Sequence, residues 1–202
     1  DGSSDPNSVY SAGQLINARG AWSKGYTGKG LGVAVIDTGV SAVKGLDAPG
    51  KIIYGPDLTP DAKDPATANV DGYGHGTFMA GLIAGNDNTG ATSGKGGDSL
   101  SYLGIAPDAK IISVKVGDKN GETVVGSVIM ALDWVVQHRA DPDKNIKVVN
   151  LSFSTNSSQS YLLDPLAFAV ERAWFNGLVV VTSAGNSGAT RGAMTMPAVD
   201  PF

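Results

Sequence analysis

Residues 31–39 read Leu-Gly-Val-Ala-Val-Ile-Asp-Thr-Gly, and this stretch decides the fold. Residues 31–36 form a short apolar run, and the Asp-Thr-Gly that follows is typical of a turn. A run of this length without polar side chains predicts a strand that is buried on both of its faces, as in a parallel sheet. We therefore expect a buried strand with Asp37 just beyond its C-terminal end.

Further apolar runs and amphipathic stretches alternate along the chain on both sides of this strand. They predict strands at 51–54, 111–116, 148–153 and 178–183, and helices at 12–22, 76–85, 124–138 and 166–175. Asp164 and Pro165 suit the N-cap and first turn of the last helix, and Gly177 suits its C-cap. This alternation predicts an α/β fold with three layers, a parallel sheet flanked by helices on both faces.

Length and composition narrow the class of protein. The 202 residues suit one domain, which we assign to residues 1–202 with an irregular N-terminal segment over 1–20. A net charge of −4 and the lack of a Lys/Arg cluster argue against a nucleic-acid partner. The absence of cysteine excludes disulfides, thiolate zinc sites and a cysteine nucleophile. No apolar run reaches the length of a membrane-spanning helix, so we expect no membrane partner.

Three polar residues follow the predicted strands or begin a helix, at one edge of the predicted sheet. Asp37 and Asn186 lie just beyond strands, and His75 lies at a helix start between two glycines. A carboxylate, an imidazole and an amide can orient a base, move a proton and bind an oxyanion. Each residue also has a plain structural interpretation: a turn aspartate, a loop or metal-ligand histidine, and a turn asparagine. His138, beside Arg139 at a helix end, is interpreted as a solvated cation.

Taken together, the segments around these residues are more specific than any one of them. Asp-Thr-Gly-Val at 37–40, Gly-His-Gly-Thr at 74–77 and Ala-Gly-Asn at 184–186 occur in that order. In this order they resemble the motifs of the subtilisin-like (subtilase) serine peptidases. The resemblance runs from about residue 21 to residue 202 and includes Gly-Ile-Ala-Pro at 104–107 and Val-Asn-Leu-Ser at 149–152.

The resemblance implies a role for each matching residue. Asp37 would orient His75, which would act first as general base and then as general acid, while Asn186 would donate to the oxyanion. The backbone at 152–154 would pair with an extended peptide, and residues 183–185 would line the pocket for the side chain before the scissile bond. The substrate-binding residues implied in this way are Ser152, Phe153, Ser154, Ser183, Ala184 and Gly185. Ser154 departs from the glycine usual in the family, which predicts a narrower rim.

The nucleophile of the family is missing from this sequence. It is a serine in a Gly-Thr-Ser-x-Ala motif, and no Gly-Thr-Ser occurs in the 202 residues. We therefore expect the sheet to be incomplete at its C-terminal side and the chain alone to be inactive. The serine would come from a C-terminal segment or from a second chain, and a naturally inactive homologue is the remaining explanation.

Two other functions compete with a serine endopeptidase. An aspartic peptidase carries Asp-Thr-Gly, but that chemistry needs two such aspartates and this sequence has one triplet, at 37–39. An inactive, peptide-binding homologue would use the strand end at 152–154. Both the enzyme and the binding module predict a protein or peptide as partner.

Cofactor and location are less constrained by the sequence. The proposed chemistry requires no cofactor. The resemblance also implies that structural calcium is possible, because members of the family often bind it. Oxygen ligands are offered by Asp47, Asn86, Asp87 and Asn88. A solvated polar loop explains these residues equally well, so the metal is left unassigned. The lack of cysteine fits a secreted, bacterial-type protein, and a cytoplasmic location stays open.

Overall fold

A single parallel sheet organises the part of the chain that the structure, a computed structural model, describes: residues 4–87, 102–155, 157–186, 188–189 and 194–202. The strands of these residues are β1 (Gly32–Asp37), β2 (Ile52–Asp57), β3 (Lys110–Lys115), β4 (Ile146–Leu151) and β5 (Val179–Thr182). They pair in the order β2-β3-β1-β4-β5, and every pairing is parallel. The apolar run at 31–36 therefore belongs to the central strand.

The burial of β1 explains why its sequence is apolar throughout. All of its residues are buried. Val33 and Val35 pack in one apolar cluster, whereas Ala34 and Ile36 pack in a second cluster. Because successive side chains of a strand face opposite sides of the sheet, a strand covered on both sides needs apolar residues at every position.

Helices cover both faces of the sheet, as the sequence predicts. The helices of the described residues are α1 (Val9–Leu15), α2 (Ala18–Trp22), α3 (His75–Ala84), α4 (Val125–His138) and α5 (Pro165–Phe175). Ala80 and Ala84 of α3 join the cluster of Val33 and Val35. Buried side chains of α4 and α5 join the cluster on the other face. The three-layer α/β prediction is confirmed.

The start of α5 shows the capping that its sequence predicts. The carboxylate of Asp164 accepts hydrogen bonds from the backbone N–H groups of Leu166 and Ala167, at 2.9 and 3.2 Å. Pro165 occupies the first turn, where its missing N–H costs nothing. At the other end, Gly177 has a left-handed φ of 85° directly after the C-cap residue Asn176.

The N-terminal region and two strands differ from the predictions. Helices α1 and α2 occur where we expected one helix over 12–22 in an irregular segment. Asn17 separates them, because its left-handed φ of 57° interrupts the helical backbone. Strand β2 runs on to Asp57, and β4 ends at Leu151, before the predicted strand end at 153.

Within the described residues, no helix combines the length and apolar character needed to cross a membrane.

Candidate active site

Asp37 lies at the C-terminal end of the central strand, and its side chain is only 4% exposed. A buried carboxylate is costly unless hydrogen bonds compensate it. Its Oδ1 accepts the backbone N–H of Thr38 at 2.8 Å and lies 2.7 Å from Nδ1 of His75. Its Oδ2 is buried and has no hydrogen-bond partner among the described residues. The hydrogen bonding of Asp37 therefore depends on Oδ1.

His75 is the first residue of α3, and the glycines beside it allow the chain to place it there. Gly74 precedes it with a left-handed φ of 100°, a conformation that most side chains disfavour. Gly76 follows it, and an added Cβ at this position would collide with the carbonyl oxygen of Gly39. The His75 side chain stays 38% exposed while Nδ1 contacts the buried carboxylate. Because a carboxylate can only accept, Nδ1 carries the proton of this hydrogen bond.

A second carboxylate, Asp71, fastens the start of α3. Its Oδ1 accepts the hydroxyl of Thr38 at 2.8 Å and the N–H of Gly74 at 2.7 Å. Its Oδ2 accepts the N–H and the hydroxyl of Thr77, at 2.8 and 2.6 Å. Burial alone would raise the pKa of Asp71, but the hydrogen bonds from Thr77, Gly74 and Thr38 outweigh it and hold that pKa below its ordinary value.

Beside the Asp37–His75 pair is an open cavity of about 160 Å³, which we call the edge cavity. It lies where the C-terminal ends of β1, β3 and β4 meet, since Asp37 pairs with Lys115 and Ile36 with Leu151. A parallel sheet places ligand sites at this edge. The edge cavity is lined by Asp37, Thr38, Tyr73, His75, Val116, Gly117, Gly121, Thr123, Ser152 and Phe153.

The predicted substrate-binding residues divide into two groups. Ser152 and Phe153 line the edge cavity, and the early end of β4 leaves both of them beyond the strand. The hydroxyl of Ser183 donates to the carbonyl oxygen of Phe153 at 3.1 Å, which joins the segments that follow β4 and β5. Ser154 and Ala184 are exposed, and Gly185 has a left-handed φ of 90°.

Of the three predicted catalytic residues, Asn186 is the one that the structure does not place at the edge cavity. It is exposed in a bend that follows β5, and it is not among the described residues that line the edge cavity. The structure therefore brings Asp37, His75, Ser152 and Phe153 together around one space. The oxyanion role of Asn186 stays a prediction.

Lys115 is a neighbour of the site that the sequence analysis missed. Its side chain is 1% exposed, at the end of β3 opposite Asp37. Its ammonium group donates to Asp61 at 2.8 Å and to the carbonyl oxygen of Val70 at 2.7 Å. It therefore ties the chain before Asp71 to the sheet edge. The signal was a lysine in the predicted strand at 111–116, whose other residues are apolar except for Ser113. Thr38, which stands in the motif at 37–40, and Asp71, four residues before His75, were also missed.

His138 has a structural environment in the described part of the chain. Its ring stacks on Trp134 with the centroids 4.3 Å apart, and its Nδ1 lies 2.8 Å from the carbonyl oxygen of that residue. It is partly buried at the end of α4, so it is packed rather than simply solvated.

The calcium prediction is not tested by this structure. Asn88 lies outside the described residues, as does most of the loop that follows it. Asp87 already accepts the N–H of Tyr102 at 2.6 Å. Among the described residues, no group of three or more His, Cys, Asp or Glu side chains could hold a metal ion.

The buried carboxylate and the imidazole lie at the C-terminal edge of a parallel sheet, which is where α/β proteins of this class place their ligand and active sites. The chain belongs to the Subtilase family (peptidase S8), whose sequence profile matches residues 28–200. The family is one of serine proteases. The aspartic peptidase interpretation is therefore wrong, and the parallel sheet with its flanking helices excludes the all-β architecture that it requires.

Individual relatives agree with this assignment. The chain is 37% identical to serine protease AprX of Bacillus subtilis (strain 168) over 176 residues, which are 86% of this chain and 37% of that protein. It is 34% identical to Subtilisin Savinase of Lederbergia lenta over 183 residues, 91% of this chain and 57% of that protein. The crystal structure of a cold adapted subtilisin-like serine proteinase matches with a TM-score of 0.64 and 30% identity, over 87% of this chain and 54% of that one. The chain thus spans about half of these relatives, or less.

Proposed function

We propose that this chain supplies the base, its orienting carboxylate and part of the substrate groove of a subtilisin-like serine endopeptidase. The observation that carries the proposal is the 2.7 Å contact between His75 Nδ1 and Asp37 Oδ1. With Nδ1 bonded to the carboxylate, the other ring nitrogen is left as the proton acceptor, and the carboxylate stabilises the imidazolium that forms.

The nucleophile is proposed to be a serine from outside these 202 residues, in a further segment or a second chain. His75 would take the proton of its hydroxyl as the oxygen attacks the peptide carbonyl, and would then return that proton to the leaving amine. Asn186 would donate its side-chain N–H to the oxygen that becomes negative in the tetrahedral intermediate.

The substrate is proposed to be an extended peptide. The backbone of residues 152–154 would pair with it as an added strand, which suits a segment that follows directly after β4. Ser183, Ala184 and Gly185 would line the pocket for the side chain before the scissile bond. The contact between Ser183 and Phe153 supports one continuous surface for these segments.

The location of the protein and its metal content are two further proposals. One relative, from Bacillus subtilis (strain 168), is named minor extracellular protease Epr and is 34% identical over 173 residues. We infer that this protein also acts outside the cell. No cofactor is needed for the chemistry proposed here, and a calcium ion would have a structural role only.

A fluorophosphonate probe tests the proposal, because it reacts with a serine that a histidine has activated. In the whole natural gene product, the wild-type protein and His138→Ala should be labelled, and His75→Ala should lose most of the labelling. His138→Ala is the matched control, since it removes the other histidine of the chain. A wild-type protein that binds peptides without being labelled would instead be an inactive peptide-binding homologue.

A further inference from the structure

The hydrogen bonds around Asp37 leave little capacity on its Oδ1. That atom already serves the N–H of Thr38 at 2.8 Å and the ring of His75 at 2.7 Å. A carboxylate oxygen offers about two lone pairs, so a further donor competes with the two that Oδ1 already accepts. The strength of the His75 hydrogen bond therefore depends on which other donors reach Asp37.

The hydroxyl of Thr38 is such a donor, and it lies between two carboxylates. Its Oγ1 is 2.8 Å from Oδ1 of Asp71 and 3.3 Å from Oδ1 of Asp37. The same oxygen accepts the N–H of Gly76 at 2.9 Å. A hydroxyl has one proton to donate, so it can bond to one of the two carboxylates at a time. The shorter distance assigns that proton to Asp71.

Asp71 is held in place to receive this proton. The N–H groups of Tyr73 and Gly74 also point at its Oδ1, and both donors of Thr77 point at its Oδ2. These donors belong to the turn before α3 and to its first turn. Because they hold both oxygens, the carboxylate cannot rotate away from Thr38 without losing several hydrogen bonds.

We propose that Asp71 is a positioning residue of the site: it holds the Thr38 hydroxyl proton and so reserves Oδ1 of Asp37 for the His75 ring. This rests on the proposed function, since the pair matters for catalysis only if His75 is the base. Without Asp71, the Thr38 hydroxyl turns to Asp37 and competes with His75. The imidazole is then held less firmly, and its charged form is less well stabilised.

The test is a double-mutant cycle read at the proton between His75 and Asp37, by NMR of the whole protein with labelled histidine. The variants are Asp71→Ala, Thr38→Val and both together, with Asp64→Ala as control. Asp64 is exposed, and among the described residues its carboxylate accepts one hydrogen bond, from the nearby backbone N–H of Ala66. The His138 signals report whether each variant is folded.

In Asp71→Ala, the His75 Nδ1 proton should move upfield and exchange with water about five- to tenfold faster. In the Thr38→Val background, the same Asp71→Ala change should have little effect, because the competing hydroxyl is gone. Asp64→Ala should leave the proton unchanged. Equal effects of Asp71→Ala in both backgrounds would overturn the proposal, since they would mean that Asp71 acts by its charge or by capping α3.

A replacement variant and a separate activity measurement complete the test. If Asp71→Ala unfolds, Asp71→Ser takes its place, because a serine hydroxyl can still accept from the N–H groups of this turn while its shorter side chain removes the carboxylate that accepts from Thr38. The same coupling, in the same direction, is then expected, and its absence overturns the proposal. The activity of the wild-type protein is measured separately. Loss of the endopeptidase hypothesis would leave the NMR cycle interpretable, so the two failures are distinguishable.

Discussion

At the scale of single residues, the pairing of Asp37 with His75 depends on side chains that never touch a substrate in the proposed mechanism. Thr38 and Asp71 link the end of β1 to the start of α3, 2.8 Å apart at their oxygens. Lys115 holds the chain that leads into Asp71 through the carbonyl oxygen of Val70. The position of the imidazole is therefore over-determined, as a pre-organised base requires.

The lowered pKa of Asp71 predicts a pH-dependent contribution to stability. Because its folded pKa lies below the ordinary value of 3.8, the ionised carboxylate stabilises the folded state. That stabilisation is complete above the ordinary value and is lost as the pH falls through the lowered one. Asp71→Asn should therefore reduce the free energy of unfolding at neutral pH, with a gap to wild type that narrows in strong acid.

Urea unfolding of both proteins, at neutral pH and well below pH 3.8, measures this gap. Asp64→Asn, at an exposed aspartate, is the control for changing a turn carboxylate. A gap between wild type and Asp71→Asn that is the same at both pH values would contradict the assignment of the charge.

At the scale of elements, the closeness of α3 to the central strand depends on Gly76. An added Cβ would meet the carbonyl oxygen of Gly39 and would lie 3.1 Å from Cβ of Asp37. Gly76→Ala should push α3 away from β1, with a loss of about 1–3 kcal/mol in the free energy of unfolding. It should also lower activity, since His75 is the residue before it.

Gly126→Ala is the matched control for this change. Gly126 lies in the first turn of α4, and nothing lies within 4 Å of an added Cβ. Because alanine favours a helix more than glycine does, this variant should be stabilised by up to about 1 kcal/mol. Chemical denaturation of both variants measures the contrast. A neutral or stabilising Gly76→Ala would show that the two elements have room to adjust.

The observed strands and helices show which parts of the secondary structure can be predicted from the sequence. Strands and helices were predictable where the apolar pattern is strong, as in the continuous run of β1 and the periodic face of α4, and where a cap is explicit, as at Asp164. The division of the predicted helix over 12–22 into α1 and α2 was not, because Asn17 interrupts it through backbone conformation rather than through composition. The end of β4 was placed two residues late, since Ser152 and Phe153 continue the strand-like composition beyond the last pairing at Leu151.

Only those residues of the site that stand in sequence motifs could be predicted. Asp37 and His75 stand in short glycine-containing motifs, so their order along the chain was enough to propose a pair. Lys115 and Asp71 act through contacts between segments that are 45 and 33 residues apart along the chain. Such contacts are made by tertiary packing, and no local pattern encodes them.

At the scale of the whole molecule, a buried charge cluster joins the sheet to the segment that leads to the site. The ammonium group of Lys115 lies 2.8 Å from Asp61 and 3.9 Å from Asp57, whose side chain is 3% exposed. Removing one partner of a buried ion pair leaves the other charge uncompensated. Lys115→Met should therefore cost about 3–5 kcal/mol in the free energy of unfolding.

Lys44→Met is the control for this prediction. Lys44 is 83% exposed and lies 3.8 Å from Asp87, so its removal should change stability by about 1 kcal/mol or less. Thermal and urea unfolding measure both variants. Equal, small effects would mean that the buried cluster contributes no more than a surface pair.

The central claim is that His75, oriented by Asp37, is the base of a peptidase. The most direct test is kcat for peptide cleavage by the whole protein, measured for the wild type and for Asp37→Asn, His75→Ala and His138→Ala. Asp37→Asn and His75→Ala should each lower kcat by roughly 10⁴-fold or more, the size found for these roles in other serine peptidases, while His138→Ala stays near wild type. Cleavage that survives His75→Ala unchanged would contradict the account.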